Sequence, residues 1–130
     1  MGVIMTGKVM WSYPEELNDA GLVHVFAGLL SFVPPLHHHT GEIALIDNQI
    51  VIEGDTDLTI PFGNIEQIYL GFDDVYRSTY VKNNGLFWQP LRLTFNTLNG
   101  TQVVYLIIDH NFIGARNKDW YQMLTDLYQR

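Results

Sequence analysis

The chain has 130 residues, no cysteine and a formal net charge of −7 with histidines neutral. That length suits one ordinary domain, and 47% apolar residues are enough for a core, which excludes a disordered chain. Without cysteine there is no disulfide framework, thiolate metal site or thiol nucleophile, a composition that fits a reducing cytoplasm.

The cations are few and scattered: Lys8, Arg77, Lys82, Arg92, Arg116, Lys118 and Arg130. Nucleic acids and anionic membranes recruit proteins through clustered positive charge, so nucleic acid is not expected as a partner and anionic lipid is disfavoured. Met1 to Met10 carries one lysine and a short apolar stretch broken by Gly and Thr, which is not a signal-peptide pattern.

In chain order, residues 1–40 have a mixed pattern and read as a helical or mixed N-terminal extension, packing on or projecting from the core. Ser12-Tyr13-Pro14-Glu15 fits a capping box for a short helix over Pro14 to Ala20, ended by Gly21. Gly21 to Leu36 is uncharged and apolar, with Leu22, Val25, Phe26, Leu29, Leu30 and Val33 at helical spacing. Pro34-Pro35 ends it well short of the roughly 20 residues a spanning helix needs. It is expected to be a buried or interfacial segment, helix and strand being equally open.

From residue 41 the pattern is a series of strands. Gly41 to Ile46 and Gln49 to Glu53 flank Asp47-Asn48, a hairpin turn whose residues tolerate positive φ. Gly54-Asp55-Thr56-Asp57 is the next turn, then Leu58-Thr59-Ile60 is a short strand ended by Pro61. Ile65 to Phe72 is a further strand, and Asp73 to Gly85 is a polar stretch closed by Asn83-Asn84-Gly85. In Leu86 to Phe95, Leu91, Leu93 and Phe95 alternate with Arg92 and Thr94, the mark of a half-wet strand. Asn99-Gly100 turns the chain into Thr101 to Ile108, apolar on both faces and so expected to be covered on both. Asn117 then caps a helix with Asp119 in its first turn and Trp120, Met123, Leu124 and Leu127 in one stripe.

Hairpins followed by one amphipathic helix resemble the pleckstrin-homology-like (PH-like) superfold. Gly41 to Gly54 is similar to the opening hairpin of GRAM-like and bacterial PH-like domains. Leu58 to Ile68 resembles their strand, proline and Ile-x-x-Ile step, and Trp120 resembles the tryptophan of PH closing helices. The resemblance covers residues 40–130. It implies a mainly β fold: a partly open barrel or sandwich capped by one amphipathic C-terminal helix, with 1–40 added to a single domain spanning 1–130. It does not carry over phosphoinositide binding, because the first hairpin and its neighbourhood hold Glu42, Asp47, Glu53, Asp55 and Asp57 where such domains place Lys and Arg.

No catalytic residue, cofactor site or metal site is assigned. His37-His38-His39 reads as a solvated loop, since neighbours on an extended chain diverge and do not converge on one ion. Asp73-Asp74 and Glu15-Glu16 read as solvated acidic pairs, and Asp109-His110 has diverging side chains with no serine elbow. Arg77, Tyr80, Lys82 and Trp88 form the candidate interaction surface, cations beside aromatics, with Phe87 or Trp88 expected to face the core. The expectation is a cytoplasmic binding or scaffolding module, not an enzyme, that engages a protein partner or a second copy. The alternatives are a peripheral membrane domain using residues 22–33 and a small-ligand carrier.

Overall fold

The computed structural model describes residues 2–17, 37–77, 88–111 and 114–128. They form a seven-stranded antiparallel sheet, not closed, with one C-terminal helix. The strands are β1 (Val3–Ser12), β2 (His39–Ile46), β3 (Gln49–Gly54), β4 (Leu58–Pro61), β5 (Ile65–Leu70), β6 (Leu91–Thr97) and β7 (Gly100–Ile108); the helix is α1 (Asn117–Tyr128). Their order in the sheet is β4-β3-β2-β1-β7-β6-β5. Two meanders, β1 to β4 and β5 to β7, are therefore joined where β1 pairs β7, Val9 opposite Ile108 and Trp11 opposite Leu106. The arrangement is consistent with a β-sandwich or a partly open barrel capped by a helix.

The main correction concerns the N-terminus. Val3–Ser12 is no appendage: it is the central strand, paired with β2 on one side and β7 on the other. Val9 and Trp11 are buried in the main core, and Met5 packs against it. The helix foreseen after it exists over residues 14–17, while its remainder and the apolar run 21–36 lie outside the described residues. The cap is shifted by one residue. Pro14 is the first helical residue, and the Tyr13 amide donates to Glu16 Oε1 at 2.8 Å. Glu16, not Glu15, reaches back, since Pro14 has no amide and is best tolerated in the first helical position. Ser12 is freed from capping, and its Oγ meets His38 Nδ1 at 2.9 Å.

The β2–β3 hairpin forms as the sequence predicts, Ile46 opposite Gln49 across Asp47-Asn48. Only Asp47 uses the left-handed region, at φ 52°. Its carboxylate accepts from the Gly2 amide, which ties the hairpin tip to the start of β1. Phe62–Asn64 forms a 3-10 turn between β4 and β5. The strand expected over 86–95 begins later, at Leu91, with Trp88, Gln89 and Pro90 leading in as irregular chain.

Two apolar clusters flank β7. The main core joins Trp11, Ile43, Leu45, Ile50, Ile52, Ile60, Leu91, Leu93, Val104, Leu106 and Ile108 to Trp120 and Leu124 of α1. The second, on the opposite face, joins Tyr105 and Ile107 to Leu17, Tyr76 and Trp88. The uninterrupted burial of Val104 to Ile108 is thus a strand covered on both sides, as its unbroken apolar run implies. Among the described residues no helix is long and apolar enough to cross a membrane.

Candidate functional site

Three polar constellations and one groove stand out. The first is built on Asp73, where the chain leaves β5. Asp73 Oδ1 accepts from the amides of Val75 and Tyr76, at 2.8 and 2.7 Å. Its Oδ2 accepts from Arg92 Nη1 at 2.9 Å and from the Tyr105 hydroxyl at 2.7 Å. Burial works to raise the Asp73 pKa, but these four donors outweigh it and hold the carboxyl below its usual range. Burial, then the Asp73 bond and charge, push the Tyr105 hydroxyl up. Burial alone pushes Tyr76 up. Arg92 also donates to Gln67 Oε1 at 2.9 Å and lies 4.4 Å from the centre of the Tyr69 ring. Asp73 is therefore not one of a solvated pair. It pins the segment 72–77 over the outer face of β6 and β7.

The second constellation is His39. Its Nε2 lies 2.6 Å from Glu16 Oε2 and its Nδ1 lies 3.0 Å from Asp55 Oδ2. The ring stacks on Trp11 with centroids 5.3 Å apart, and Tyr13 meets it edge-on. One imidazole thus links the 14–17 turn, the start of β2 and the β3–β4 turn. Asp55 is exposed; what desolvation it has works to raise its pKa, while the His39 and Thr56 hydrogen bonds prevail and lower it. The three histidines are half-buried at a packed corner, not a solvated loop, because Ser12, Glu16 and Asp55 give His38 and His39 partners there. No group of three or more His, Cys, Asp or Glu among the described residues converges as a metal ion would require.

The third is Asn117, which is 1% exposed. Its Oδ1 accepts from the Ile108 amide at 2.7 Å, and its Nδ2 donates to the carbonyls of Gln89 and Leu106 at 2.7 and 3.0 Å. The expected helix cap is instead a clasp that binds the front of α1 to β7 and to the lead-in of β6. Composition and position gave the residue; its partners, distant in sequence, gave no local signal.

The groove crosses the outer face of β1, β2 and β3. Its floor and walls include Lys8, Glu42, Ala44, Val51, Glu53 and Asp109, and it encloses about 360 Å³. A second hollow of about 440 Å³ shares Lys8 and Asp109 and runs on past Met10, Thr40 and His110. Asp109 and His110 diverge as expected. Asp109, at φ 53°, accepts from the Lys8 amide at 2.9 Å, while His110 meets Trp88 edge-on. Burial, then the nearby His37, lowers the His110 pKa.

Of the surface foreseen at Arg77, Tyr80, Lys82 and Trp88, Tyr80 and Lys82 lie outside the described residues. Trp88 is 8% exposed in the second cluster, so it is a core tryptophan and not an exposed anchor. Arg77 is exposed, and its Nε donates to the Asp74 carbonyl at 3.2 Å. The structure does not bring these two together as one face. Phe72, Tyr76 and Tyr105 draw Trp88 inward. No family model and no curated protein matches the chain.

Proposed function

We propose that the chain is a PH-like binding and scaffolding module that holds a protein partner or a second copy of itself and does no chemistry. One observation carries the reading: the described side chains best suited to chemistry are occupied in holding the fold. Asp73 accepts four hydrogen bonds, His39 lies between two carboxylates, and Ser12, 1% exposed, is turned to His38. The two antiparallel meanders and the closing helix with buried Trp120 support the PH-like part.

Light scattering across a concentration series, together with cross-linking in cells, tests it. A mass rising with concentration, or one partner cross-linked at fixed stoichiometry, is the expected result. A monomer at every concentration with no stoichiometric partner overturns the module reading.

A second reading, peripheral contact with a membrane through residues 22–33, draws on the anchoring of that connection. The His38 amide donates to the Trp11 carbonyl at 3.1 Å, and His39 meets Glu16. The described chain on either side of that run, at Glu16 and at His38-His39, is thus held at one corner. Co-sedimentation with neutral and anionic vesicles decides it, and no binding to either removes it.

A further inference from the structure

Three rows of side chains run across the outer face of β1, β2 and β3, set by the pairing register. Lys8 lies opposite Glu42, and Glu42 opposite Glu53. Two residues along, Thr6 lies opposite Ala44, and Ala44 opposite Val51. Two further along β2, Ile46 lies opposite Gln49 of β3 and, past a shift in the β1 register between Val3 and Met5, opposite Val3. The first row is charged and the next two are largely apolar, so the groove has an acidic end and an aliphatic floor.

Glu42 and Glu53 are like charges directly opposite on neighbouring strands, an arrangement that destabilises a sheet. Both are exposed, and neither forms an ion pair with any described residue. Lys8 flanks Glu42 only, so the uncompensated negative charge lies toward Glu53. Rows two residues apart on a strand are separated by about 7 Å, which is also the i to i+2 spacing of any extended chain.

We infer that this groove docks an extended segment of a partner protein with a Lys or Arg at one position and aliphatic residues two and four positions on. The inference deepens the binding-module reading and rests on it. The cation sits over Glu42 and Glu53 and relieves their repulsion. The aliphatic side chains cover Ala44, Val51 and Ile46, all of which line the groove. A second copy is the less suited occupant, because two chains of charge −7 repel each other.

The test uses the full chain labelled with 15N and three pentapeptides, blocked at both ends, at up to about 5 mM, a range that detects weak contacts. The probe is Lys-Thr-Val-Thr-Ile. The controls are Glu-Thr-Val-Thr-Ile and Thr-Lys-Val-Ile-Thr, which keeps the composition and breaks the spacing. The expected result is saturable amide shifts at Thr6, Lys8, Glu42, Ala44, Val51 and Glu53 with the probe alone. The double variant Glu42→Gln, Glu53→Gln, both at exposed positions, is expected to weaken binding roughly fivefold to tenfold. The inference is overturned by any of three outcomes: no shifts with the probe, equal shifts with either control, or binding unchanged in the double variant. It is also overturned if the same amides shift on dilution of the free protein while light scattering reports a dimer, since the occupant is then a second copy. A silent groove beside a cross-linked partner defeats this inference and leaves the module reading standing.

Discussion

At the scale of single residues, the polar groups that matter are those with the most internal partners. Asn117 satisfies the buried Ile108 amide, the buried Leu106 carbonyl and the half-buried Gln89 carbonyl at once. Asn117→Ala strands all three, and an orphaned buried group costs about 1–3 kcal/mol. Even allowing for relaxation, a loss of about 2–4 kcal/mol is expected in urea unfolding. Asn117→Asp keeps the acceptor but sets a carboxylate against two carbonyls, so it is expected to be no milder at neutral pH. Asp73 gives a pH signature. Its folded pKa lies below its unfolded value, so its stabilisation is full above the ordinary Asp range and is lost as pH falls through the folded value. Wild-type stability should therefore fall below about pH 4, and Asp73→Asn should fall less steeply there while being less stable at neutral pH. Equal acid slopes in the two proteins would show that Asp73 is not held by its four donors.

At the scale of elements, the β2–β3 hairpin depends on a close backbone approach that only glycine permits. Gly41 and Gly54 are cross-strand partners, and a Cβ on Gly41 would stand 2.3 Å from the Glu53 carbonyl oxygen. A Cβ on Gly54 would stand 2.2 Å from the Thr40 carbonyl oxygen. Both obstacles are backbone, so neither can rotate away. Gly41→Ala or Gly54→Ala should each lower stability by about 1–3 kcal/mol, the usual range for an overpacked site. Gly63, in the 3-10 turn, has nothing within 4 Å of its Cβ position, so Gly63→Ala should be near neutral and serves as the control. The closing helix shows what sequence alone can reveal about an element. Its stripe of Trp120, Met123, Leu124 and Leu127 is the face that meets the core. β1 was harder to read. Met5, Val9 and Trp11 point to the core, but Gly7 interrupts the alternation because the Asp109 carboxylate occupies the place its side chain would take. Met10 blurs the pattern from the other side, since it is apolar on the outer face where the second cluster covers it. At its end, Met10 to Ser12, both faces are covered, and the strand there loses the wet side that makes a strand legible. The Asp73 constellation was hidden for a different reason: its partners Arg92 and Tyr105 are 19 and 32 residues away, and only the fold brings them near.

At the scale of the whole molecule, charge sets the remaining expectation. Fourteen acidic residues against seven Lys and Arg leave a mean field that opposes compaction. Ion pairs work the other way, and salt weakens both, so the sign of the salt effect tells which prevails. The described ion pairs among Asp, Lys and Arg are few: Arg92 with Asp73, and the exposed Arg116 with Asp109 and Asp119. Arg116 pairs of that exposure contribute little, and the Asp73 pair is sheltered enough to be weakly screened. Self-repulsion, reinforced by the facing Glu42 and Glu53, should therefore win. Raising sodium chloride from about 10 mM to about 200 mM shortens the screening length from roughly 30 Å to roughly 7 Å, below the size of the domain. The melting temperature should rise by about 2 °C, the equivalent of roughly half a kcal/mol for a chain of this length. The double variant Glu42→Gln, Glu53→Gln should start higher at low salt and gain less on its addition, because part of the repulsion is already gone. A melting temperature that falls with salt in the wild type would mean that attraction among scattered ion pairs outweighs the net charge. It would also remove the electrostatic reason for preferring a basic partner to a second copy in the groove.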